Sequence, residues 1–559
     1  MGESKMQTDK RTKKNLIFFP LGTMGRDAVY SLINSYLLTF VLFTHSLNGA
    51  QVAAITGIMI AARVFDALND PVMGNIIERT HSRFGKFKPW LAAGGLSTSV
   101  VIYLLFNVRL EGWRFVWFFA LMYFAFSITY TMSDISYWGM IPALGSDANV
   151  RNQFTARTTL FAGIGGTLAA ILIPVFSTGS GAIGGSTAVA YGRIALVIAI
   201  LAPLFILFTL FGVREHREAA ALGKERERFS FKQIFQTIAR NDQLVWVSVI
   251  FLIQQVGNGL VIGGIGSTYI YFTFGYSGGL YSLFNTVGMS ATAVLMILYP
   301  AISRRVHRKK LMGIMAAIST AGYVLMLLSL FVPGIGMDRF WLLVLGYMLT
   351  NFGQYCFYLI MMISIMNTVE YNEYRFGTRD EGIITSLRPF ITKMSSALIV
   401  ALTSATYLLF GVTGYTNTIS ELEQQCAQGL ISEEEKLEEI SEVIFGGAEA
   451  SALEQDTGIA AGAAAGQDTG IAAEASADGQ DTGIAAEASA AGQDTGIAAN
   501  APADGQMSGV TARQSTGLLI TMTAAPCALM ILSYILYKKK YRLDEEEYDR
   551  ICGELRQEK

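Results

Sequence analysis

Twelve stretches of this chain are each about 20 predominantly apolar residues long, the length an α-helix needs to cross the hydrocarbon core of a bilayer. Their centres fall near residues 30, 62, 99, 127, 166, 203, 258, 291, 322, 354, 396 and 526. Hydrocarbon offers the backbone no water, so each stretch must satisfy its own N–H and C=O groups as a helix. Composition agrees: 52% hydrophobic and 15% charged residues over 559 positions, with a mean hydropathy of +0.40, are too apolar for a soluble enzyme of this length. The expectation is an all-α membrane protein with twelve transmembrane helices, numbered here as spans 1 to 12.

The formal net charge is −2, so no global basic field points to nucleic acid. Charge is instead sorted by side. Lys10, Arg11, Lys13 and Lys14 precede span 1; Arg79, Arg83, Lys86 and Lys88 follow span 2; "SRRVHRKK" follows span 8 and "KKKYR" follows span 12. The alternate connections "HSLNGA", "STGSGAIGGSTAVA" and "FGYSGGL" carry no lysine or arginine. By the positive-inside rule both termini are cytoplasmic, which an even span count allows. The basic N-terminus leads straight into span 1 with no small-residue cleavage pattern, so no cleaved signal peptide is expected. Cys356, Cys426, Cys527 and Cys552 have neither metal nor redox spacing.

The long basic loop, residues 214–243, divides the spans six and six, as in a major-facilitator transporter built from two parallel six-helix halves. The expected organisation is a first bundle (1–213), this central cytoplasmic loop, a second bundle of spans 7 to 11 (244–411), an extracytoplasmic low-complexity insertion (412–514), span 12 (515–537) and a cytoplasmic tail (538–559). The insertion carries an imperfect tandem repeat, "QDTGIAA", beginning at Gln455, Gln467, Gln480 and Gln493. Alanine, glycine, aspartate and threonine with one isoleucine per unit bury almost nothing, so disorder is expected there. A calcium-binding nonapeptide array would need a shorter period. Upstream, "SEEEKLEEISEVIF" has the spacing of a short surface helix.

Span 2 reads "ARVFDALNDPVMG", with Arg63, Asp66, Asn69 and Asp70 on or beside one helical face. Each charge at a helix centre costs on the order of 3 kcal/mol on insertion scales, so these groups must face partners or water inside the bundle. Pro71 also deprives the carbonyl of Ala67 of its helical partner. Span 1 carries Arg26 and Asp27, span 4 carries Tyr130, Thr131, Asp134 and Trp138, and span 5 begins with Arg157. Asp66, Asp70 and Asp134 with the oxygens of Asn69 and Thr131 make a site for a small hard cation, or for a proton held by one raised carboxyl. Arg63 with Asp66, and Arg157 with Asp134, are alternative structural ion pairs.

A sugar needs carboxylates and guanidinium groups for its hydroxyls and an aromatic ring for its apolar face. Asp27, Asp134, Arg157, Tyr130 and Trp138 supply both; Trp138 lies one turn beyond Asp134. Between spans 10 and 11, "VEYNEYRFGTRDEGIITSLRPFITK" gathers Glu370, Glu373, Arg375, Arg379, Asp380 and Glu381 into an expected cytoplasmic charge cluster at an inner gate. Arg388 and Lys393 lie deeper, and Lys393 is placed to close the cavity opposite Asp27, or else to snorkel to the interface.

These stretches together resemble the glycoside-pentoside-hexuronide:cation symporter family of the major facilitator superfamily. The likeness is strongest in "ARVFDALNDPVMGNIIERTHSRFGKFKPW", "TYTMSDISYWGMIP" and the segment joining spans 10 and 11. It implies a sodium-, lithium- or proton-coupled importer of glycosides in a plasma or inner membrane. Asp66, Asn69, Asp70, Thr131 and Asp134 would form its cation site. Arg26, Asp27, Tyr130, Asp134, Trp138, Arg157 and Lys393 would contact sugar, so Asp134 would serve both ligands. Arg26 stands where a lysine is expected, Tyr358 where a tryptophan is, and Arg388 with Pro389 where an amide and a hydroxyl are. The additional arginine would suit a hexuronide or another acidic sugar.

The expected function is therefore cation-coupled sugar symport by alternating access, with a small sugar, a monovalent cation and the lipid bilayer as partners and no cofactor. A lipid or lysolipid carrier on the same fold and a transporter-like sensor that binds a partner through the repeat loop are the rivals. No nucleophile–base constellation, metal motif or phosphate loop suggests an enzyme.

Overall fold

The computed structural model describes residues 2–144, 148–213, 231–303, 305–332, 336–378, 380–446, 509–510 and 512–557, and no strand occurs among them. Among the described residues twelve helices are long and apolar enough to cross a membrane, one at each expected centre. In the first half they are Thr12–Thr44 (span 1), Gly49–Glu78 (span 2), Lys88–Asn107 (span 3), Gly112–Leu144 (span 4), Ala148–Ser177 (span 5) and Thr187–Gly212 (span 6). In the second they are Asp242–Leu260, continued through Gly266–Phe274 (span 7), Gly278–Ser303 (span 8), Arg308–Leu328 (span 9), Met337–Phe376 (span 10), Glu381–Leu409 (span 11) and Ala512–Lys540 (span 12). Local chemistry sets their ends. The Asn48 side chain accepts from the Gln51 N–H while Gln51 reciprocates on Asn48, capping span 2. Gly377, at φ +70°, ends span 10 in a left-handed turn.

In a bilayer, apolar side chains gain little by leaving lipid for one another, so helices pair where small residues let backbones approach. Span 3 meets span 4 at Gly94, where a Cβ would lie 2.6 Å from the Ser133 amide nitrogen. Spans 9 and 10 meet along Gly322, Gly346 and Gly353, and a Cβ on Gly353 would lie 2.4 Å from the Met315 carbonyl oxygen.

Spans 1 and 7 are the first helices of their halves, and both are interrupted by a five-residue π-helical turn, Leu32–Tyr36 and Val261–Ile265. The two turns pack against each other where the halves meet. This repeat of structure has no residue-level match in the sequence.

Cross-half hydrogen bonds gather at the end of the bundle opposite the basic loops. Thr56 of span 2 donates to Ser404 of span 11 at 2.7 Å, and Ser282 of span 8 donates to the Ile171 carbonyl of span 5 at 3.0 Å. Two helices beyond span 11, Val412–Ala427 and Glu433–Phe445, lie at the same end. The second is the helix expected from "SEEEKLEEISEVIF", with Ser432 capping it through Glu435. The first was not anticipated, so part of the segment expected to be low-complexity is ordered helix. The QDTGIAA repeats and most of the central loop lie outside the described residues.

Candidate substrate and cation site

Span 1 places Thr23, Arg26 and Asp27 on neighbouring turns, and the Thr23 hydroxyl donates to Asp27 Oδ2 at 2.5 Å while accepting from Arg26 Nη2 at 2.9 Å. Arg26 also reaches Asp27 Oδ2 at 3.1 Å and, across to span 4, Asp134 Oδ1 at 2.8 Å. Its guanidinium lies 4.8 Å from the Tyr137 ring centre and 5.3 Å from that of Trp138, a cation–π contact with each of two rings set at right angles. Arg26 is 4% exposed, whereas the Asp27 and Asp134 side chains are 22% and 37% exposed. The arginine is thus a buried fastener, and the carboxylates keep accessible edges that can accept hydroxyl hydrogens. Tyr130 stacks on Phe126 with centroids 5.3 Å apart and lies 5.9 Å from Tyr30.

A second cluster lies between spans 2, 4 and 11. Lys393 Nζ meets Asp70 Oδ2 at 2.5 Å and the Asp66 carbonyl oxygen at 3.4 Å. Thr131 donates to Asp70 at 3.4 Å, and the Ser127 hydroxyl donates to the Asp66 carboxylate. Asn69 Nδ2 is buried with no hydrogen-bond partner, so the site holds an unsatisfied amide beside two carboxylates. Arg63 is buried, donates to the Asn34 amide oxygen and sits 6.0 Å from the Tyr123 ring centre.

Several expectations change on this geometry. Arg63 takes Asn34 rather than Asp66, because its side chain points to span 1. Asp134 takes Arg26 rather than Arg157; Arg157 donates to the Leu16 carbonyl at 3.3 Å and is not brought into the cluster. Lys393 faces Asp70, not Asp27. Among the described residues no three His, Cys, Asp or Glu side chains converge as a metal cage. Asp66, Asp70 and Asp134 accordingly divide between two adjoining clusters. Two carboxylates, the Thr131 hydroxyl and the Asn69 amide nonetheless remain a donor set suited to a monovalent hard cation.

Arg375, Asp380 and Glu370 of the charge cluster after span 10 are fastened within their own half. Arg375 pairs with Asp242 at 2.8 Å, and Asp380 accepts from Thr378 at 3.0 Å and Thr237 at 3.3 Å. Glu370 hydrogen-bonds Tyr548 of the C-terminal helix Glu545–Gln557. Glu373 is on the last turns of span 10, and Arg379 lies outside the described residues. Arg388 is exposed and donates to Tyr358 Oη at 2.8 Å. Thr23, Ser127 and Tyr137 join the site without having been expected from the sequence. Ser127 was legible, since Ser127, Thr131, Asp134 and Trp138 recur at i, i+4, i+7 and i+11 along one face of span 4.

Comparison with known proteins agrees with this architecture. The family described as MFS/sugar transport protein matches residues 18–432. The lactose permease of Lactobacillus helveticus is 28% identical over 415 residues, covering 71% of this chain and 62% of that protein. The raffinose carrier protein of Pediococcus pentosaceus gives the same figures. The chain therefore spans somewhat less than two thirds of the length of these relatives. A glucuronide carrier protein homologue of Escherichia coli is 23% identical, covering 72% of this chain and 84% of that one. Among solved structures, a bacterial homologue of the human lysosomal transporter Spinster superposes with a TM-score of 0.57 at 12% identity, covering 95% and 98% of the two chains. A D-xylose-proton symporter superposes at 0.51 and 11% identity, covering 76% and 99%. Those two likenesses show the fold alone. With the family match spanning both halves and the same stretches that carry the charged clusters, the chain belongs to the MFS/sugar transport protein family, the glycoside-pentoside-hexuronide group of the major facilitator superfamily.

Proposed function

We propose that this protein is a cation-coupled symporter that imports a glycoside, pentoside or hexuronide by alternating access. The observation that carries the reading is the Lys393 ammonium seated on Asp70, because it joins the two halves through the carboxylate best placed to take a cation. At this position the lysine stands in for a monovalent ion. A cation arriving between Asp66, Asp70, Thr131 and Asn69 competes with it and frees Lys393 for a sugar hydroxyl. The adjoining Arg26–Asp134 pair, backed by Trp138, offers acceptors and an apolar ring face to the same sugar.

Relatives named for lactose, raffinose, isoprimeverose and glucuronide support a glycoside as the substrate class. Arg388, hydrogen-bonded to a tyrosine rather than a carboxylate, keeps a positive charge for an acidic sugar. For one ion per cycle the membrane potential supplies about 2.3 kcal/mol per 100 mV, about a fiftyfold concentration ratio. The charge asymmetry of the loops supports cytoplasmic termini.

The test is counterflow of labelled glycosides, pentosides and hexuronides in proteoliposomes with sodium, lithium or only protons present, comparing the wild type with Asp70→Cys. Flux that depends on one cation in the wild type, and loses that dependence in Asp70→Cys, is the expected result. Absence of flux for every sugar under every ion would overturn the reading.

A further inference from the structure

The two helices between spans 11 and 12 belong to the second half by covalent connection, yet Asn417, Glu421, Glu423, Gln424 and Lys436 bond to the first half. Asn417 exchanges two hydrogen bonds with the backbone of Leu47, accepting at 3.0 Å and donating at 2.9 Å. Glu421 accepts from Ser46 at 3.1 Å, and Gln424 donates to the Thr44 carbonyl at 3.0 Å. Glu423 is fully buried. Its carboxylate accepts from the Thr187 amide at 2.7 Å and the Thr187 hydroxyl at 2.9 Å, its carbonyl accepts from Ser186 at 2.8 Å, and Lys436 of the second helix lies 3.5 Å away, also fully buried. Lys436 donates in turn to the Gly185 carbonyl. A buried carboxylate and ammonium tolerate removal from water only while every partner stays in place. The contacts therefore form and break as one unit.

From this arrangement we propose that residues 412–446 are a gate on the face opposite the basic loops. The gate is a clamp carried by the second half, locked onto the ends of spans 1 and 6, that releases each time the interior opens to that face. Beneath it lies the Thr56–Ser404 contact, where spans 2 and 11 touch. Glu423 and Asn417 act by positioning the clamp and touch no substrate. Alternating access needs the two halves to part at this end, and these bonds are what parting must break.

The experiment uses the full chain with Cys356, Cys426, Cys527 and Cys552 replaced by serine, which at 426 keeps a donor for the Gly185 carbonyl. Thr56→Cys is added as the reporter. Reconstituted protein is exposed on the clamp face to a membrane-impermeant maleimide, and the labelling rate is compared across Ser46→Ala, Asn417→Ala and Glu423→Gln backgrounds. Labelling about tenfold faster in Asn417→Ala and Glu423→Gln is expected, from the loss of two hydrogen bonds in the first and of the charge that faces buried Lys436 in the second. Ser46→Ala, a substitution in an exposed loop, should give a smaller rise and remains informative if Glu423→Gln does not fold. Labelling equal to the parent in every folded variant would overturn the gate. No sugar enters the assay, so its outcome is independent of the counterflow result.

Discussion

Arg26 holds two carboxylates from different helices and lies against two aromatic rings, which a guanidinium can do because its donors fork in one plane. Arg26→Gln leaves Asp27 and Asp134 without their shared counter-charge. Sugar counterflow should fall by at least a hundredfold, consistent with losing charge-assisted bonds worth roughly 1.5–3 kcal/mol each. Arg26→Lys neutralises one carboxylate at a time and should keep part of the activity; equal activity in wild type and Arg26→Gln would remove Arg26 from the site. His45, just beyond span 1, poses a separate residue-scale question. The Thr44 hydroxyl donates to the Phe40 carbonyl at 2.5 Å, so at the 2.9 Å contact with His45 Nδ1 it must accept, which fixes the proton on Nδ1. The ring stacks on Phe115 at 3.8 Å, and burial, then the nearby Arg109 charge, push its pKa down to about 3. Unfolded, it would titrate near 6.5. The folded state therefore binds fewer protons below pH 6.5, and stability falls by about 1.4 kcal/mol per unit as pH drops from there toward 3. Thermal unfolding of His45→Phe in detergent should lose much of the wild-type slope between pH 6.5 and 5; parallel profiles would refute the assignment.

At the scale of elements, all twelve spans were legible because a bilayer imposes a length on every apolar run, and the helix Glu433–Phe445 was legible from its helical spacing. Partnerships were legible only in part. Spacing put Asp66 and Asp70 on one face but could not say that Lys393, more than 300 positions away, would sit on Asp70, since hydropathy carries no information on the register between helices. Arg157 misled because an arginine inside an apolar run says only that it needs a partner, and the Leu16 carbonyl meets that need. The helix Val412–Ala427 is hard to read from sequence because it adjoins a segment dominated by low-complexity composition. Spans 9 and 10 give the prediction at this scale. A Cβ on Gly346 would lie 2.6 Å from Met326 Cγ and 2.8 Å from the Gly322 carbonyl oxygen. Gly346→Val should separate the pair, cost about 1–3 kcal/mol and lower the thermal midpoint measured in detergent by several degrees. An unchanged midpoint would show that the two helices have slack at this contact.

For the whole molecule, the structure divides the connection between spans 11 and 12 into a part bonded to both halves and a part bracketed by its own ends. The Val510 amide donates to the Ile444 carbonyl at 2.8 Å, and Tyr415 donates to the Gly509 carbonyl at 3.5 Å. A Cβ on Gly509 would meet the Gly446 amide nitrogen at 2.4 Å, so the chain returns beside the point it left. Residues 447–508 can therefore be excised with Gly446 joined to Gly509 through a short glycine bridge, leaving the 412–446 helices and span 12 their present neighbours. Transport and sensing make opposite demands on this excision. A symporter whose chemistry lies on spans 1, 2, 4 and 11 keeps its cation-dependent counterflow, with a rate within about twofold of the parent, because the excision removes none of those residues. A sensor that reads a partner through the QDTGIAA repeats loses its response while the bundle still folds. Counterflow measured on the excised chain, alongside its thermal midpoint, separates the two. Retained flux with an unchanged midpoint assigns the function to the bundle, and lost flux in a chain of unchanged midpoint would return it to the repeats.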